Sequence, residues 1–143
     1  MNKKAEAFKK YLKEKDSKAF TIDEIADDQY NSVVFRSHID INGNQLPAIV
    51  VLDSTIYCMV RVLIAPQIIH DDNDLAVLKL LNDYNKQYKS FKYYVDEQGA
   101  LVLDTCILFK EGEADGDMIY TMLDVIINHL NEAYKSIMKS IWQ

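Results

Sequence analysis

Hydrophobic and polar positions along the chain change period from helical spacing to strand-like spacing and back. Residues 3–15 place Ala5, Phe8 and Leu12 on one face at about 100° per residue, which predicts an amphipathic first helix. From residue 33 to residue 41 apolar and polar side chains alternate, as in a half-buried strand. Asn42-Gly43 then predicts a tight hairpin onto a second strand over 46–52, because both residues tolerate positive φ.

The third predicted strand, residues 56–65, is apolar on both faces apart from Arg61, which indicates a central strand or one that meets a partner. One parity is aliphatic or thiol-bearing and is predicted to form the core under the helices: Ile56, Cys58, Val60, Val62 and Ile64. The other parity mixes residue types that are enriched at interfaces: Tyr57, Met59, Arg61 and Leu63. We predict that this second set binds a partner, either a second subunit or a polypeptide client.

The remaining pattern completes one α+β domain over residues 1–143. A second helix over 74–89, a hairpin of strands 91–96 and 100–109, and a closing helix over 117–141 follow the third strand. The polar segment 17–31 fits either a helical turn or a short extra strand. The predicted order is α-β-β-β-α-β-β-α, with one antiparallel sheet and helices packed on it.

Four features of the two later helices predict contacts. The apolar arc of the closing helix covers about 220°, whereas a helix on one sheet needs about 100°, so it should also touch the first helix or another chain. With the broad apolar face of the second helix, this predicts a homodimer. Asn85 lies inside that face, and its amide should bond a backbone group of a neighbouring strand or loop. His129 lies inside the last arc and is predicted to be a satisfied core or boundary histidine.

Composition narrows the classes of partner. The 143 residues carry a net charge of −6, and 49% of them are apolar, which fits one globular domain and argues against a nucleic-acid partner. Residues 1–18 are lysine-rich, but only two large apolar residues lie on the helix stripe, which favours a packed helix with a solvated lysine face over one lying on a membrane. No run approaches the roughly 20 apolar residues of a membrane span. We therefore expect a cytoplasmic protein with no membrane partner.

Signatures of chemistry are missing from the pattern. The three histidines and two cysteines are dispersed, and the acidic run 71–74 lacks the Gly and Glu positions of a calcium loop. No nucleophile or phosphate-binding motif is present. We expect no metal, no cofactor and no enzymatic activity. The alternative is a small-molecule-binding domain or a cryptic enzyme with a pocket lined by some of the nine tyrosines.

One stretch resembles a known family. The run Leu80-Leu81-Asn82-Asp83-Tyr84-Asn85, followed by a strand, the turn Asp96-Glu97-Gln98-Gly99 and the apolar strand Ala100 to Phe109, resembles the bacterial YbjN family. That family shares its fold with the type III secretion chaperones, the Tir-chaperone-like proteins. The resemblance implies an α+β sandwich, often a homodimer, with no catalytic residues. It implies a non-enzymatic module, chaperone-like or regulatory, that binds a partner polypeptide.

Overall fold

A computed structural model describes residues 1–142, which form three helices and one sheet. The elements in chain order are α1 (Lys3–Glu14), β1 (Thr21–Glu24), β2 (Val33–Ile41), β3 (Asn44–Leu52), β4 (Tyr57–Ala65), α2 (Asp74–Gln87), β5 (Lys92–Val95), β6 (Leu101–Leu108) and α3 (Gly116–Ile141). The predicted α+β class is confirmed. Segment 17–31 contributes the short extra strand β1, which is one of the two structures that its sequence allowed.

The six strands form one antiparallel sheet in the order β1-β2-β3-β4-β6-β5. β4 is therefore interior, as its two apolar faces predicted. Phe35, Val50 and Val60 align across the three middle strands and are fully buried. β4 pairs with β6 although α2 and β5 lie between them in the sequence, so two strands that are distant along the chain are neighbours in the sheet.

Helices α1 and α3 cover one face of the sheet. The ring of Phe8 on α1 packs edge-on against Phe35 of β2, with the centroids 4.9 Å apart. The buried side of α3, including Leu123 and Ile126, belongs to the same core. α3 also meets α1, where the Tyr11 hydroxyl donates to Asp117 Oδ1 at 2.7 Å. The wide apolar arc of α3 is thus shared between the sheet and the first helix.

Helix α2 lies at the β5 edge of the sheet and buries only a narrow stripe. Val77 and Leu81 are buried, whereas Leu75 and Leu78 are more than half exposed. The predicted amide contact is confirmed, because Asn85 Nδ2 donates to Tyr93 O and its Oδ1 accepts from Tyr93 N. Leu78 of the predicted apolar face therefore points to solvent, whereas Tyr84 and Tyr88 of that face pack against other aromatic rings.

The core parity of β4 is confirmed at four of its five positions. Cys58, Val60, Val62 and Ile64 are buried under the helices. The prediction was wrong for Ile56, which is 52% exposed. The reason is the length of the preceding turn: β4 begins at Tyr57, and Ile56 lies in the connection, where its carbonyl accepts from Phe109 N.

Candidate functional site

The second face of the sheet points away from the helices. Side chains alternate along antiparallel strands, so every residue between the core positions projects to this side. We call this surface the open face; it comprises Thr21, Asp23, Val34, Arg36, His38, Asp40, Gln45, Pro47, Ile49, Val51, Tyr57, Met59, Arg61, Leu63, Lys92, Tyr94, Val102, Asp104, Cys106 and Leu108. Its apolar side chains are concentrated on β3, β4 and β6, whereas β1 and the ends of β2 and β3 add polar ones. The side of the sheet without helices thus presents apolar rows along its inner strands.

A paired charge occupies the middle of the open face. Arg61 of β4 lies directly opposite Asp104 of β6 in the register. The guanidinium Nε and Nη2 donate to the two carboxylate oxygens at 2.7 and 2.9 Å. The hydrogen bond to Asp104 raises the pKa of Arg61, and burial opposes this in part. The bidentate geometry fixes both side chains, so the charges are held flat against the sheet.

Apolar rows flank this charged centre on both sides. Met59 pairs with Cys106, and Leu63 pairs with Val102. Val102 is 5% exposed although it lies outside the core under the helices, because its neighbours on the open face cover it. A shallow depression of about 180 Å³ runs beside the ion pair, lined by Pro47, Ile49, Arg61, Leu63, Asp96 and Val102. The surface is broad and shallow, as protein-binding surfaces are, and unlike a ligand cleft.

All four residues predicted to bind a partner project onto the open face. Tyr57 is 49% exposed, and Met59, Arg61 and Leu63 are half-buried. The predicted separation of β4 into a core side and an outer side is therefore confirmed at these positions. Their binding of a partner stays a prediction.

Sequence reasoning missed the contribution of β6 to this surface. Asp104, Cys106 and Leu108 alternate with the core residues of β6 and stand opposite Arg61, Met59 and Tyr57. The alternation within residues 101–108 indicated which of these side chains lie on the same face of β6. It did not indicate which strand lies beside β6, since strand order depends on long-range pairing.

A buried lysine on α1 contacts the Tyr57 end of β4 from the helix-covered side of the sheet. Lys4 is 3% exposed, and its ammonium donates to Tyr57 O at 2.6 Å. Burial lowers the pKa of Lys4, and Asp53 opposes this at 3.9 Å. The solvated lysine face predicted for the first helix is therefore wrong at this position. Lys4 fixes α1 to the strand that carries Tyr57 and Met59.

The tyrosines around α2 pack together with other aromatic rings. Tyr84, Tyr88 and Phe91 surround the imidazole of His129, whose Nε2 lies 2.5 Å from the Tyr93 hydroxyl. His129 is 7% exposed and hydrogen-bonded, as predicted for a satisfied core histidine. This cluster joins α2, β5 and α3 and fills space, so it does not supply the tyrosine-lined pocket of the alternative hypothesis.

Two further properties of the described residues concern metal binding and membrane-spanning helices. Within residues 1–142, no three His, Cys, Asp or Glu side chains come together in a way that could hold a metal ion. None of the helices described there has the length and apolar character needed to cross a membrane.

Comparison with known proteins connects this fold to a bacterial family. The YbjN family model, described as "Putative bacterial sensory transduction regulator", matches residues 16–138. The matched segment includes every strand of the sheet together with α2 and most of α3. No curated protein matches the chain.

Proposed function

Since the chain belongs to the YbjN family, we propose that it is a non-enzymatic regulatory module that acts by binding a partner polypeptide on its open face. The observation that carries this proposal is the open face itself. A six-stranded sheet has one side covered by helices, and the other side carries apolar rows on β3, β4 and β6 around a fixed ion pair. Contiguous apolar surface of this kind marks interaction sites on water-soluble domains.

The composition of the surface fits a protein partner. Tyr, Met and Arg are enriched where proteins meet, and Tyr57, Met59 and Arg61 stand in one line along β4. Apolar rows would pack against apolar side chains of the partner. The Arg61–Asp104 pair would favour a partner that offers hydrogen-bonding groups at the centre of the contact and would disfavour one with a single uncompensated charge there.

The fold implied by the family resemblance, that of the type III secretion chaperones, would suit the same mode of action. Those proteins hold an extended segment of a client and carry out no chemistry on it. We propose a chaperone-like or regulatory role of that kind, in which occupancy of the open face controls the partner. A role in secretion forms no part of the proposal.

Cys106 provides a direct test because it is an exposed thiol on the open face, whereas Cys58 is buried. The purified protein is labelled at Cys106 with a photoactivatable cross-linker and irradiated in lysate of the source organism. We expect the label to capture a defined polypeptide. A matched control carries the label on α2, in a Cys106→Ser, Leu78→Cys variant, where Leu78 is 54% exposed on a different surface.

The open-face variant Met59→Ser, labelled at Cys106, should lose the captured polypeptide while it keeps the far-ultraviolet circular dichroism spectrum of the wild type. Capture from the α2 position but not from Cys106 would place the partner elsewhere and overturn the proposal. Equal capture by the wild type and by the Met59→Ser variant would overturn it as well.

A further inference from the structure

We propose that the outer edge of β1, together with the lysines of α1 beside it, binds an extended acidic segment of another protein by strand addition. The added segment lengthens the sheet beyond β1 and places its carboxylates against the lysines. Those lysines belong to α1, which precedes the matched family segment 16–138, so the family match does not include them. The site lies at an edge of the sheet and on its helix-covered side, so the inference does not rest on the function proposed for the open face.

The backbone of β1 presents hydrogen-bonding groups on its outer edge. Just after β1, Ile25 N donates to Ser32 O at 3.0 Å, so the backbone groups of Ile25 point towards β2. These groups alternate in direction along a strand. The groups of Asp23 therefore also point to β2, whereas those of Ile22 and Glu24 point away from the sheet. β1 is the first strand in the sheet order and is exposed along its whole length, so an added strand can reach these outward groups.

The opposite edge of the sheet is closed. At β5, the side-chain amide of Asn85 binds both Tyr93 N and Tyr93 O, which are the groups that an added strand would need. Among residues 1–142, no side chain takes this part at the backbone of Ile22 or Glu24. Strand addition is therefore confined to the β1 edge.

A row of lysines on α1 lies beside that edge. A depression of about 470 Å³ separates α1 from β1, and we call it the lysine groove; it is lined by Met1, Glu6, Lys9, Lys10, Lys13 and Glu24. Lys9 and Lys13 are exposed and four residues apart, so their ammonium groups lie on one side of the helix and repel each other. An anionic partner in the groove relieves this repulsion.

The charge of the groove is positive although the protein is acidic. Glu24 Oε1 lies 3.0 Å from the amino group of Met1, so its charge is compensated. Lys9 and Lys13 form no ion pair within residues 1–142. Residues 1–18 carry seven lysines and three acidic residues, whereas the whole chain carries −6. The positive charge of the molecule is thus concentrated beside the β1 edge and complements an acidic segment.

The edge favours a polypeptide over other polyanions. Ile22 and Glu24 each present a donor and an acceptor, and the backbone of an added strand supplies both complementary groups. The phosphate groups of nucleic acids and anionic lipids accept hydrogen bonds but do not donate them at neutral pH. They would therefore leave the two carbonyl groups of β1 without partners.

Alternation along the added strand fixes the pattern of its side chains. Ile22 stands opposite Phe35 in the register and projects to the helix-covered side, as does Glu24. Every second side chain of the added strand projects to the same side and meets the lysine groove. The other side chains lie next to Asp23 and Arg36, which are paired at 3.4 Å and add no net charge. The segment should therefore carry carboxylates at every second position, with uncharged β-formers between them.

The test uses a fluorescein-labelled octapeptide of alternating Glu and Thr and the full chain. Fluorescence anisotropy should show saturable binding, whereas the corresponding peptide of alternating Lys and Thr should not bind. In a Lys9→Glu, Lys13→Glu variant the dissociation constant should rise by about 10-fold or more. The matched control is Lys79→Glu, Lys86→Glu, which makes the same change of charge at exposed positions of α2 and should change the dissociation constant by less than about 2-fold.

Hydrogen exchange of the wild type tests the strand addition directly. With saturating peptide, the backbone amides of Ile22 and Glu24 should exchange about 10-fold more slowly, because they now donate to the added strand. The amide of Tyr93 at the closed edge should not change. This measurement does not depend on the folding of any variant, and circular dichroism establishes whether the lysine variants keep the wild-type fold.

Absence of peptide binding overturns the proposal. Binding without protection of Ile22 and Glu24 overturns the strand addition. An oligothymidylate of equal length, or vesicles containing phosphatidylglycerol, that compete for the groove as strongly as the peptide would assign it to phosphate groups and overturn the proposal as well. Protection of the same amides that rises with protein concentration in the absence of peptide would assign the edge to a second copy of the chain, with the same consequence.

Discussion

The side-chain amide of Asn85 binds both backbone groups of Tyr93, with Nδ2 donating to Tyr93 O at 3.0 Å and Oδ1 accepting from Tyr93 N at 2.8 Å. Asn85 thus takes the place of a neighbouring strand at the β5 edge of the sheet. Lys92 adds to this junction, because its ammonium donates to the carbonyls of Asn85 and Tyr88 at the end of α2. The edge that would otherwise invite strand pairing with another chain is closed by a helix.

Replacement of Asn85 by alanine should lower the free energy of unfolding by about 1–3 kcal/mol, because two partly buried backbone groups of Tyr93 lose their partners. The variant should also aggregate more readily, since the β5 edge becomes available. Urea denaturation measures the first effect and turbidity on heating the second. Asn82→Ala, at an exposed position of the same helix, should change stability by less than about 0.5 kcal/mol.

Adjacent positions on β4 should respond in opposite ways to polar substitution. Val60 is fully buried under the helices, so Val60→Asp should cost about 4 kcal/mol or more and unfold the domain. Met59 projects onto the open face, so Met59→Ser should leave the melting temperature within a few degrees of the wild type. Circular dichroism during thermal unfolding compares the two variants. An unfolded Met59→Ser variant would show that the two faces of β4 have been assigned the wrong way round.

The faces of the strands could be predicted from sequence because alternation is a local property. The alternation of residue types within 33–41 and 57–64 predicts which side chains lie on the same face of each strand, and the structure shows the same alternation. The prediction that Ile56 is buried was wrong because the alternation does not show where a turn ends and a strand begins. One residue of error at a strand end moves a side chain from the core to solvent.

The partners of those faces could not be predicted in the same way. Arg61 and Asp104 are 43 residues apart, and only the sheet order brings them into contact. The prediction for Lys4 was wrong for a related reason. A helical wheel gives the direction of a side chain, but it does not show whether an acceptor such as Tyr57 O lies within reach of it. The residues of the candidate site on β4 could therefore be predicted from the sequence, whereas those on β6 could be identified only from the folded structure.

Gly116, the first residue of α3, should not tolerate a side chain. An added Cβ would overlap the ring of Tyr11 on α1, so Gly116→Ala must displace that ring and the hydrogen bond from Tyr11 to Asp117. We expect a loss of about 1–3 kcal/mol in the free energy of unfolding. Helix propensity alone would predict the opposite sign, because alanine is the better helix former by about 1 kcal/mol.

A second variant isolates the cause of that loss. In a Tyr11→Ala background the ring is absent, and the further change Gly116→Ala should be neutral or slightly stabilising. Urea denaturation of the two single variants and the double variant gives the coupling between the positions. Equal costs of Gly116→Ala in both backgrounds would show that contact with Tyr11 is not the reason for the glycine.

The pair formed by His129 and Tyr93 should make the domain sensitive to acid. Burial lowers the pKa of His129 below its ordinary value of 6.5, with a smaller opposing effect from Glu132. A histidine whose pKa is lower in the folded chain than in the unfolded chain binds a proton more readily when unfolded. Stability is therefore full above pH 6.5 and falls as the pH drops from there towards the folded-state pKa.

The comparison of His129→Gln with the wild type measures this contribution. Glutamine stays neutral and can still accept a hydrogen bond from the Tyr93 hydroxyl, so it removes the titration but keeps the contact. We expect the wild type to lose more of its melting temperature than His129→Gln between about pH 7.5 and pH 5.5, a window that brackets the ordinary pKa of histidine. His38→Gln, at an exposed position of β2, should lose as much as the wild type. Identical pH profiles for the wild type and His129→Gln would mean that protonation of His129 does not open the aromatic cluster between α2, β5 and α3.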